Sequence, residues 1–341
     1  MDEHSWLALL KSKFRPINRG WLSRHRIWAG FVFVATFLLA INSVAFLHAW
    51  RMTHFTNRGT RTPNPEQLSL VQRLWTVTTG VVIPRPLNRE TPDNHNLGFE
   101  TLRTSTADGA MLESWFVPHE TAKATVVLFH GYAACKSDCL SEAAAFHEMN
   151  MNAMLVDFRG SGGSSGKTTS LGFYEAIDVD CAVRTARALS ANLPIVLYAK
   201  SLGSAAVLRA CAALGTTVDA LILECPFDRL LSTAANRFRS MGLPAAPFAQ
   251  LLVFWGGMQC GFNAFTHNPV EYASNVRTPC LLFAGQDDTR VLPAQSASIF
   301  EHLAGPKKMV IVKGAGHISY FGYDAGLWRS EVTEFIRETI R

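Results

Sequence analysis

Short apolar runs alternate with helix-like stretches through most of the chain, from about residue 98 onward. The runs are rich in β-branched residues and lack regular polar–apolar alternation, which is typical of strands buried on both faces of a parallel sheet. Such strands are predicted at residues 125–129, 153–158, 195–199, 220–223, 280–284 and 309–312. Helices are predicted near residues 138–149, 173–190, 202–213, 294–304 and 326–340. This alternation predicts an α/β fold, with helices on both faces of a mostly parallel sheet.

Two features depart from the alternation. Residues 99–104 and 111–117 flank Ala107-Asp108-Gly109, a turn signal that predicts an antiparallel hairpin at the start of the domain. More than 50 residues separate the strand that ends near Glu224 from the next strand, and many of them are large and apolar. Because a structureless loop of this length is rare in a compact domain, we predict a small helical lid at about residues 227–270.

The N-terminal region contains one run that is apolar all round, from Ile27 to Leu47. A helix rises about 1.5 Å per residue, so about 20 residues cross a hydrocarbon layer of about 30 Å. Trp28 and Trp50 lie near the ends of the run, and tryptophan favours the membrane interface. We predict a transmembrane anchor at residues 27–50, preceded by a basic segment at residues 1–26.

The flanking charges predict an orientation for this anchor. Six Lys/Arg precede the apolar run and three follow it closely. The positive-inside rule then predicts a cytoplasmic N-terminus, with the large domain on the opposite, periplasmic or extracytoplasmic side. Ser43-Val44-Ala45 is also compatible with a signal-peptidase site, so a cleaved signal peptide is the alternative. The run continues beyond that site, which favours an uncleaved anchor.

The distribution of charge argues against a nucleic-acid partner. Residues 1–62 carry nine Lys/Arg and two acidic residues, a net charge of +7, which leaves −2 for the rest of a chain whose total is +5. A nearly neutral domain offers no basic patch for a polyanion. Residues 57–65 are polar and contain Pro63 and Pro65, which predicts a linker. Residues 66–79 have a weak helical pattern, and Pro84, Pro86 and Pro92 then favour an extended chain, so we predict a linker and entry segment at residues 51–97 before a domain at residues 98–341.

The seven cysteines are spread along the chain without a zinc-type arrangement. We predict that they are small buried residues. Cys135 and Cys139 are four positions apart, and a disulfide between them remains an alternative if the domain lies in an oxidising compartment.

A serine lies at the sharpest predicted turn. The apolar strand at residues 195–199 leads through Lys200 into Ser201-Leu202-Gly203 and then into a helix of small residues. A serine between a strand and a helix is the context of a nucleophile elbow, whose usual motif Gly-x-Ser-x-Gly has Ala199 at its first position here. A serine that only caps a helix would give the same local pattern, so the residues of the other loops are needed to distinguish a nucleophile from a helix cap.

Two further loops are predicted at the same edge of the sheet. After the strand at 280–284 comes Gly285-Gln-Asp-Asp, in which Asp288 is the preferred acid and Asp287 the alternative. After the last strand comes the glycine-rich loop that carries His317. The chain order Ser201, Asp288, His317 is the order of the α/β-hydrolase triad, which favours the nucleophile interpretation of Ser201.

His130-Gly131-Tyr132 follows the first predicted parallel strand. In α/β-hydrolases the loop after this strand and the residue after the nucleophile each supply a backbone N–H group to the oxyanion hole. The predicted oxyanion donors are therefore the N–H groups of Tyr132 and Leu202. His130 is predicted to orient the loop, because His317 is better placed to reach Ser201.

Residues from about 98 to 340 resemble the α/β-hydrolase superfamily, and most of all its membrane-anchored serine hydrolases with a short helical lid. The loop from Asp157 to Gly166 resembles the Asp-x-Arg-Gly-x-Gly-x-Ser loop of that group. Gly172-Phe-Tyr-Glu175 with the following Asp178 resembles the start of its next helix, and Asn268-Pro269-Val270 also fits.

The resemblance implies acyl transfer through a Ser-His-Asp triad and an acyl-enzyme, with no metal or organic cofactor. The apolar lid and the anchor favour a small or lipid-like acyl ester, the substrate of a carboxylesterase or lipase. An aminopeptidase-like activity is the enzymatic alternative, and it would need an acidic group to hold the substrate amine. A non-catalytic, membrane-tethered interaction module with this fold is the third interpretation.

Overall fold

The computed structural model describes residues 19–63 and 67–340. The chain has two compact units, one that ends at Val44 and one that begins at Ala45. The helices are α1 (Arg19–Thr53), α2 (Leu70–Thr79), α3 (Leu140–Glu148), α4 (Glu175–Leu189), α5 (Leu202–Ala213), α6 (Leu230–Ser240), α7 (Phe248–Cys260), α8 (Pro269–Ala273), α9 (Pro293–His302), α10 (Tyr320–Tyr323) and α11 (Ala325–Thr339). The strands are β1 (Glu100–Ser105), β2 (Met111–Val117), β3 (Ala124–Phe129), β4 (Met151–Val156), β5 (Ile195–Lys200), β6 (Ala220–Glu224), β7 (Cys280–Gly285) and β8 (Lys307–Val312).

Helix α1 contains the segment predicted to be an anchor. Its stretch Arg24–Thr53 is long and apolar enough to cross a membrane. Every side chain from Arg24 to Ala40 is exposed, which is unfavourable in water for so many large apolar residues and acceptable in lipid. Most of the predicted basic segment, residues 1–18, lies outside the described residues.

The eight strands form one sheet in the order β1-β2-β4-β3-β5-β6-β7-β8. Strands β1 and β2 form the predicted antiparallel hairpin, β2 is also antiparallel to β4, and the remaining neighbours are parallel. In the five strands from β3 to β7 every residue is buried except Lys200. The mostly parallel sheet with two covered faces is therefore confirmed, and the predicted strand ends agree with the structure to within two residues.

Helices cover both faces of the sheet and divide the core into two layers. On one face α4, α5 and α9 contribute Val179, Val207 and Ile299 to a core of fully buried side chains. On the other face α3 and α11 contribute Phe146 and Trp328, whose rings meet edge to face at 5.2 Å. This two-sided packing fixes the strands, so the loops at their carboxyl ends have a rigid support.

The long stretch between β6 and β7 is helical, as expected. It contains α6, α7, a short 3₁₀ turn at Ala264–Thr266, and α8. Helices α6 and α7 pack through a cluster of buried residues that includes Leu230 and Leu252, and Ala49 from the end of α1 belongs to the same cluster. We refer to residues 227–270 as the lid region.

The last turns of α1, Ala45–Thr53, belong to the larger unit and are tied to it by hydrogen bonds. The final carbonyl groups of a helix have no partner within the helix. Here the Tyr132 hydroxyl donates to the Met52 carbonyl at 2.6 Å, and the Thr169 N–H donates to the Thr53 carbonyl at 2.9 Å. The segment that follows, predicted to be a linker, is bound to the domain, because the Phe55 N–H donates to the Lys167 carbonyl at 2.7 Å.

The cysteines are all unbonded to one another, so Cys135 and Cys139 do not form a disulfide. Five of the seven are buried and the other two are half-buried. Their prediction as small buried residues is correct for these five.

Candidate active site

Ser201 lies in a strained turn between β5 and α5. Its φ of 51° and ψ of −109° are unusual for a residue with a side chain, and the Ser201 N–H donates to the Glu224 carbonyl at 2.8 Å. The neighbouring backbones pass closely, because a Cβ atom at Gly203 would lie 2.8 Å from the His130 carbonyl oxygen. The turn therefore requires glycine at position 203, which explains why a residue without a side chain follows Leu202.

The three residues predicted to act together are adjacent. His317 Nε2 lies 3.1 Å from Ser201 Oγ, and His317 Nδ1 lies 2.7 Å from Asp288 Oδ2. The other carboxylate oxygen of Asp288 accepts the N–H groups of Arg290 and Val291 at 2.8 and 2.9 Å. The structure places Asp288, rather than the exposed Asp287, against the imidazole. A proton on Nδ1 leaves the Nε2 lone pair free to accept the Ser201 hydroxyl proton.

Opposing effects act on the pKa of His317. Burial favours the neutral ring, whereas the neighbouring Cys225 and Asp288 favour the charged ring, and together these partners outweigh burial. The pKa of His317 is therefore raised from 6.5 to about 10. An imidazole that gains a proton this easily is a strong base once it is neutral.

The predicted oxyanion residues line the same cavity as Ser201 and His317. Leu202 is the first residue of α5, so its N–H has no partner inside that helix. Tyr132 follows His130, which is buried and bridges the loop: His130 Nδ1 donates to the Gly131 carbonyl at 2.8 Å and Nε2 accepts the Phe158 N–H at 3.1 Å. His130 thus holds the loop that carries Tyr132, in agreement with its predicted orienting role.

A buried carboxylate connects the loops of the nucleophile and the histidine. Glu142 on α3 accepts Lys200 Nζ at 2.9 Å and the Ser319 hydroxyl at 2.7 Å. Lys200 precedes the nucleophile, and Ser319 lies two residues beyond His317. Because one carboxylate binds a neighbour of each residue, it restrains the separation between the two loops.

The site opens into a cavity of about 450 Å³. Most of its lining is apolar and comes from the lid region, from the end of α1 and from the loop that carries Tyr132, for example Leu230, Leu252, Ala49 and Met52. Four cationic side chains, Arg61, Lys200, Arg237 and Arg290, also reach the lining, against one carboxylate, Asp138. The cavity is therefore mostly apolar, and Lys200 at its edge is paired with the buried Glu142.

Two contributions to this site were not predicted from the sequence. Ala49 and Met52 were assigned to the anchor and the linker, and nothing in an apolar run marks which end packs on a domain. Cys225 follows β6 at the carboxyl edge of the sheet and lies beside His317 and Asp288. Cys225, like Asp288, directly follows a parallel strand at the carboxyl edge of the sheet, so its position near the site could have been predicted.

Known proteins show similarity to most of the larger unit. A family model described as serine aminopeptidase, S33, matches residues 120–269, and a model described as the prolyl oligopeptidase family matches residues 240–341. The uncharacterized protein YqkD of Bacillus subtilis is 26% identical over 73% of this chain and 85% of its own length. An uncharacterized membrane protein of Saccharomyces cerevisiae is 27% identical over 40% of this chain and 49% of its own length.

Among solved structures, an esterase of Pyrococcus furiosus superposes with a TM-score of 0.65 at 22% identity, covering 76% of this chain and 97% of the esterase. At this level of identity the likeness concerns the fold. The two family models are both of hydrolases and together extend over strands β3 to β8, the lid region and the loops described above. With its fold and these matches, the chain belongs to the α/β-hydrolase superfamily.

Proposed function

We propose that this hydrolase cleaves acyl esters, with Ser201 as nucleophile, His317 as general base and Asp288 as the carboxylate that orients the imidazole. The observation that carries the proposal is the pair of His317 hydrogen bonds, 3.1 Å to Ser201 Oγ and 2.7 Å to Asp288 Oδ2, at the wall of an apolar cavity. Either contact alone is common in proteins. A single imidazole that joins a strained serine to a buried carboxylate is the geometry of acyl transfer.

The proposed reaction has two steps. His317 Nε2 accepts the Ser201 proton as Oγ attacks the ester carbonyl, and the N–H groups of Tyr132 and Leu202 stabilise the oxyanion. The tetrahedral species collapses, His317 returns the proton to the leaving alcohol, and an acyl-Ser201 ester remains. Water then attacks this ester with His317 again as base, which releases the acid and restores the serine.

The cavity supports an acyl ester as the substrate. Its apolar wall suits an acyl chain, and burial of such a chain contributes about 0.8 kcal/mol per CH₂ group. An aminopeptidase must instead hold a charged amine beside the scissile bond. Among the described residues that line the cavity, Asp138 is the one carboxylate, and its Oδ2 already accepts the Cys135 N–H at 2.9 Å, so the lining offers an ammonium group little compensation. The peptidase is therefore the second candidate, supported by the description of the family model that matches residues 120–269.

We further propose that α1 anchors the enzyme in a membrane, as an uncleaved single-pass helix over residues 27–50. The N-terminus is then cytoplasmic and the hydrolase domain extracytoplasmic, as the excess of Lys/Arg before the apolar run favours. If this orientation is right, protease added to intact cells or spheroplasts should cleave the hydrolase domain. Cleavage that occurs only after the membrane is lysed would contradict this orientation.

Active-site labelling tests the nucleophile. A fluorophosphonate probe should label the wild-type chain, and Ser201→Ala should remove the label. Ser204→Ala is the matched control, because Ser204 lies three residues further on, is buried, and donates to the Ala199 carbonyl at 2.8 Å. Absence of labelling in the wild type would favour a non-catalytic module, and labelling that survives in Ser201→Ala would refute the nucleophile assignment.

A substrate panel tests the class of reaction. We expect hydrolysis of p-nitrophenyl esters, with kcat/KM increasing with acyl length until the cavity is filled. Aminoacyl p-nitroanilides with a free amine should react at least about 100-fold more slowly. Hydrolysis of the anilides alone would replace the esterase proposal with the peptidase.

A further inference from the structure

Three potential metal ligands meet beside the proposed nucleophile. The side-chain ligand atoms of Cys225, Asp288 and His317 all lie within 4.8 Å of one another. Each residue comes from a different loop at the carboxyl edge of the sheet, after β6, after β7 and after β8 respectively. Cys225 and His317 also line the cavity, so a small solute in the cavity can reach the cluster.

Cys225 exchanges no proton or bond in the proposed reaction, yet its position is tightly defined. Its φ of 40° lies in the left-handed region, which a residue with a side chain adopts only where the surroundings enforce it. The Cys225 N–H donates to the Phe283 carbonyl of β7 at 2.9 Å, and the residue is 4% exposed. The thiol is therefore held against His317 by the backbone rather than by a flexible loop.

We infer that this cluster is an inhibitory binding site for a thiophilic divalent cation, with zinc as the natural example. Sulfur, imidazole nitrogen and carboxylate oxygen are the three zinc ligands of proteins, with bond lengths of about 2.3, 2.0–2.1 and 2.0–2.2 Å. A tetrahedral ion with these bond lengths needs ligand atoms about 3.3–3.7 Å apart, so the three side chains require shifts of about 1 Å or less. A water molecule from the cavity would complete the coordination. The inhibition rests on the proposed function, but the site itself does not.

Binding at the cluster blocks the base whichever nitrogen of His317 is used. A cation on Nε2 occupies the lone pair that must accept the Ser201 proton. A cation on Nδ1 replaces the hydrogen bond to Asp288 and leaves the ring proton on Nε2, where it prevents the same transfer. The Cys225 thiol releases its proton to solvent as the metal–thiolate bond forms, so no other reactant is needed.

The inhibition is expected to be selective among cations. Magnesium and calcium prefer sets of oxygen ligands, and this cluster offers them one carboxylate. Zinc should therefore inhibit ester hydrolysis by the full-length enzyme, magnesium at the same concentration should not, and EDTA should restore the activity. Each variant is compared with its own rate without metal.

Two substitutions of cavity cysteines test the ligand assignment. Cys225→Ser keeps the size of the side chain and removes the soft ligand, so the zinc concentration for half-inhibition should rise about tenfold or more. Cys260→Ser is the matched control, because Cys260 also lines the cavity but lies outside the cluster, and its zinc sensitivity should equal that of the wild type. Equal inhibition of Cys225→Ser and wild type would overturn the proposal.

A direct binding measurement separates this proposal from the proposed function. Cadmium, added to Ser201→Ala protein, should give the ultraviolet charge-transfer band of a cadmium–thiolate bond, and zinc should compete for it. The additional Cys225→Ser substitution should abolish the band. This readout needs no catalysis, so a band without any esterase activity would refute the function and retain the site, whereas absence of the band would refute the site.

Discussion

The contact between Tyr132 and Met52 predicts that the end of α1 contributes to catalysis. In Tyr132→Phe the hydroxyl that donates to the Met52 carbonyl at 2.6 Å is lost, while the backbone N–H proposed for the oxyanion hole is retained. A typical buried hydrogen bond contributes about 0.5–1.5 kcal/mol. If that energy holds the Tyr132 backbone in place for the transition state, its loss corresponds to a decrease in kcat of about 2- to 13-fold.

The complete loss of an oxyanion donor sets the upper limit for this effect. Removal of one donor lowers kcat by about 10²–10³-fold in a known case. Because Tyr132→Phe only loosens the donor, kcat should fall well short of that limit and KM should change little. The assay is steady-state hydrolysis of a p-nitrophenyl ester by the full-length enzyme, together with urea denaturation to measure the free energy of unfolding.

A matched substitution separates catalysis from general stability. Tyr272→Phe also removes a hydroxyl that is hydrogen-bonded within the protein, 3.1 Å from His267 Nδ1, but Tyr272 lies outside the cavity lining. Both variants should lose a similar free energy of unfolding, and only Tyr132→Phe should lose kcat. If kcat of Tyr132→Phe equals that of the wild type while its stability falls, α1 supports the fold and not the oxyanion loop.

Three more predictions follow from the site and its surroundings. The pKa of His317 is raised from 6.5, and the ring must be neutral to act as a base, so kcat/KM should rise with pH and reach half its plateau above pH 7. A pH profile whose half-plateau lies at or below pH 6.5 would contradict this. The fully buried Lys136 pairs with Asp157, so Lys136→Met should lower the free energy of unfolding in urea by about 3–5 kcal/mol, whereas Lys308→Met, at the surface, should cost about 1 kcal/mol or less. In Gly203→Ala a methyl group would meet backbone oxygen at 2.8 Å, so fluorophosphonate labelling should slow at least about tenfold, and unchanged labelling would disprove the close packing of the turn.

The fold was predictable because its signals are local. Each parallel strand is a continuous apolar run, and burial on both faces requires that composition whatever the rest of the chain does. The positions of Ser201, Asp288 and His317 were also predictable, since loops at the carboxyl ends of parallel strands share one edge of the sheet. The preference for Asp288 over Asp287 relied on spacing alone, and the structure supplies its physical basis, because only one of two successive side chains can face the imidazole.

Other parts of the site depend on contacts between distant segments. The sequence around Met52 shows only an apolar helix that ends, and the partner of its carbonyl is 80 positions away. Residues 57–63 are polar and end in proline, which indicates a linker, although the Arg61 side chain donates to the Ala133 carbonyl of the domain at 3.2 Å. The lining of the cavity comes from separate segments of the chain, so its composition cannot be read from any one stretch of sequence.

Helix α1 contains both the apolar stretch proposed as an anchor and residues of the cavity wall, and this matters for anyone who prepares the protein without detergent. Deleting every apolar residue up to the end of the helix would remove Ala49 and Met52 with it, and so open a gap in the wall beside the serine. A water-soluble version should start at about Ala45, where the larger unit begins. Shorter versions risk being reported as inactive, when the cause is the missing part of the cavity wall.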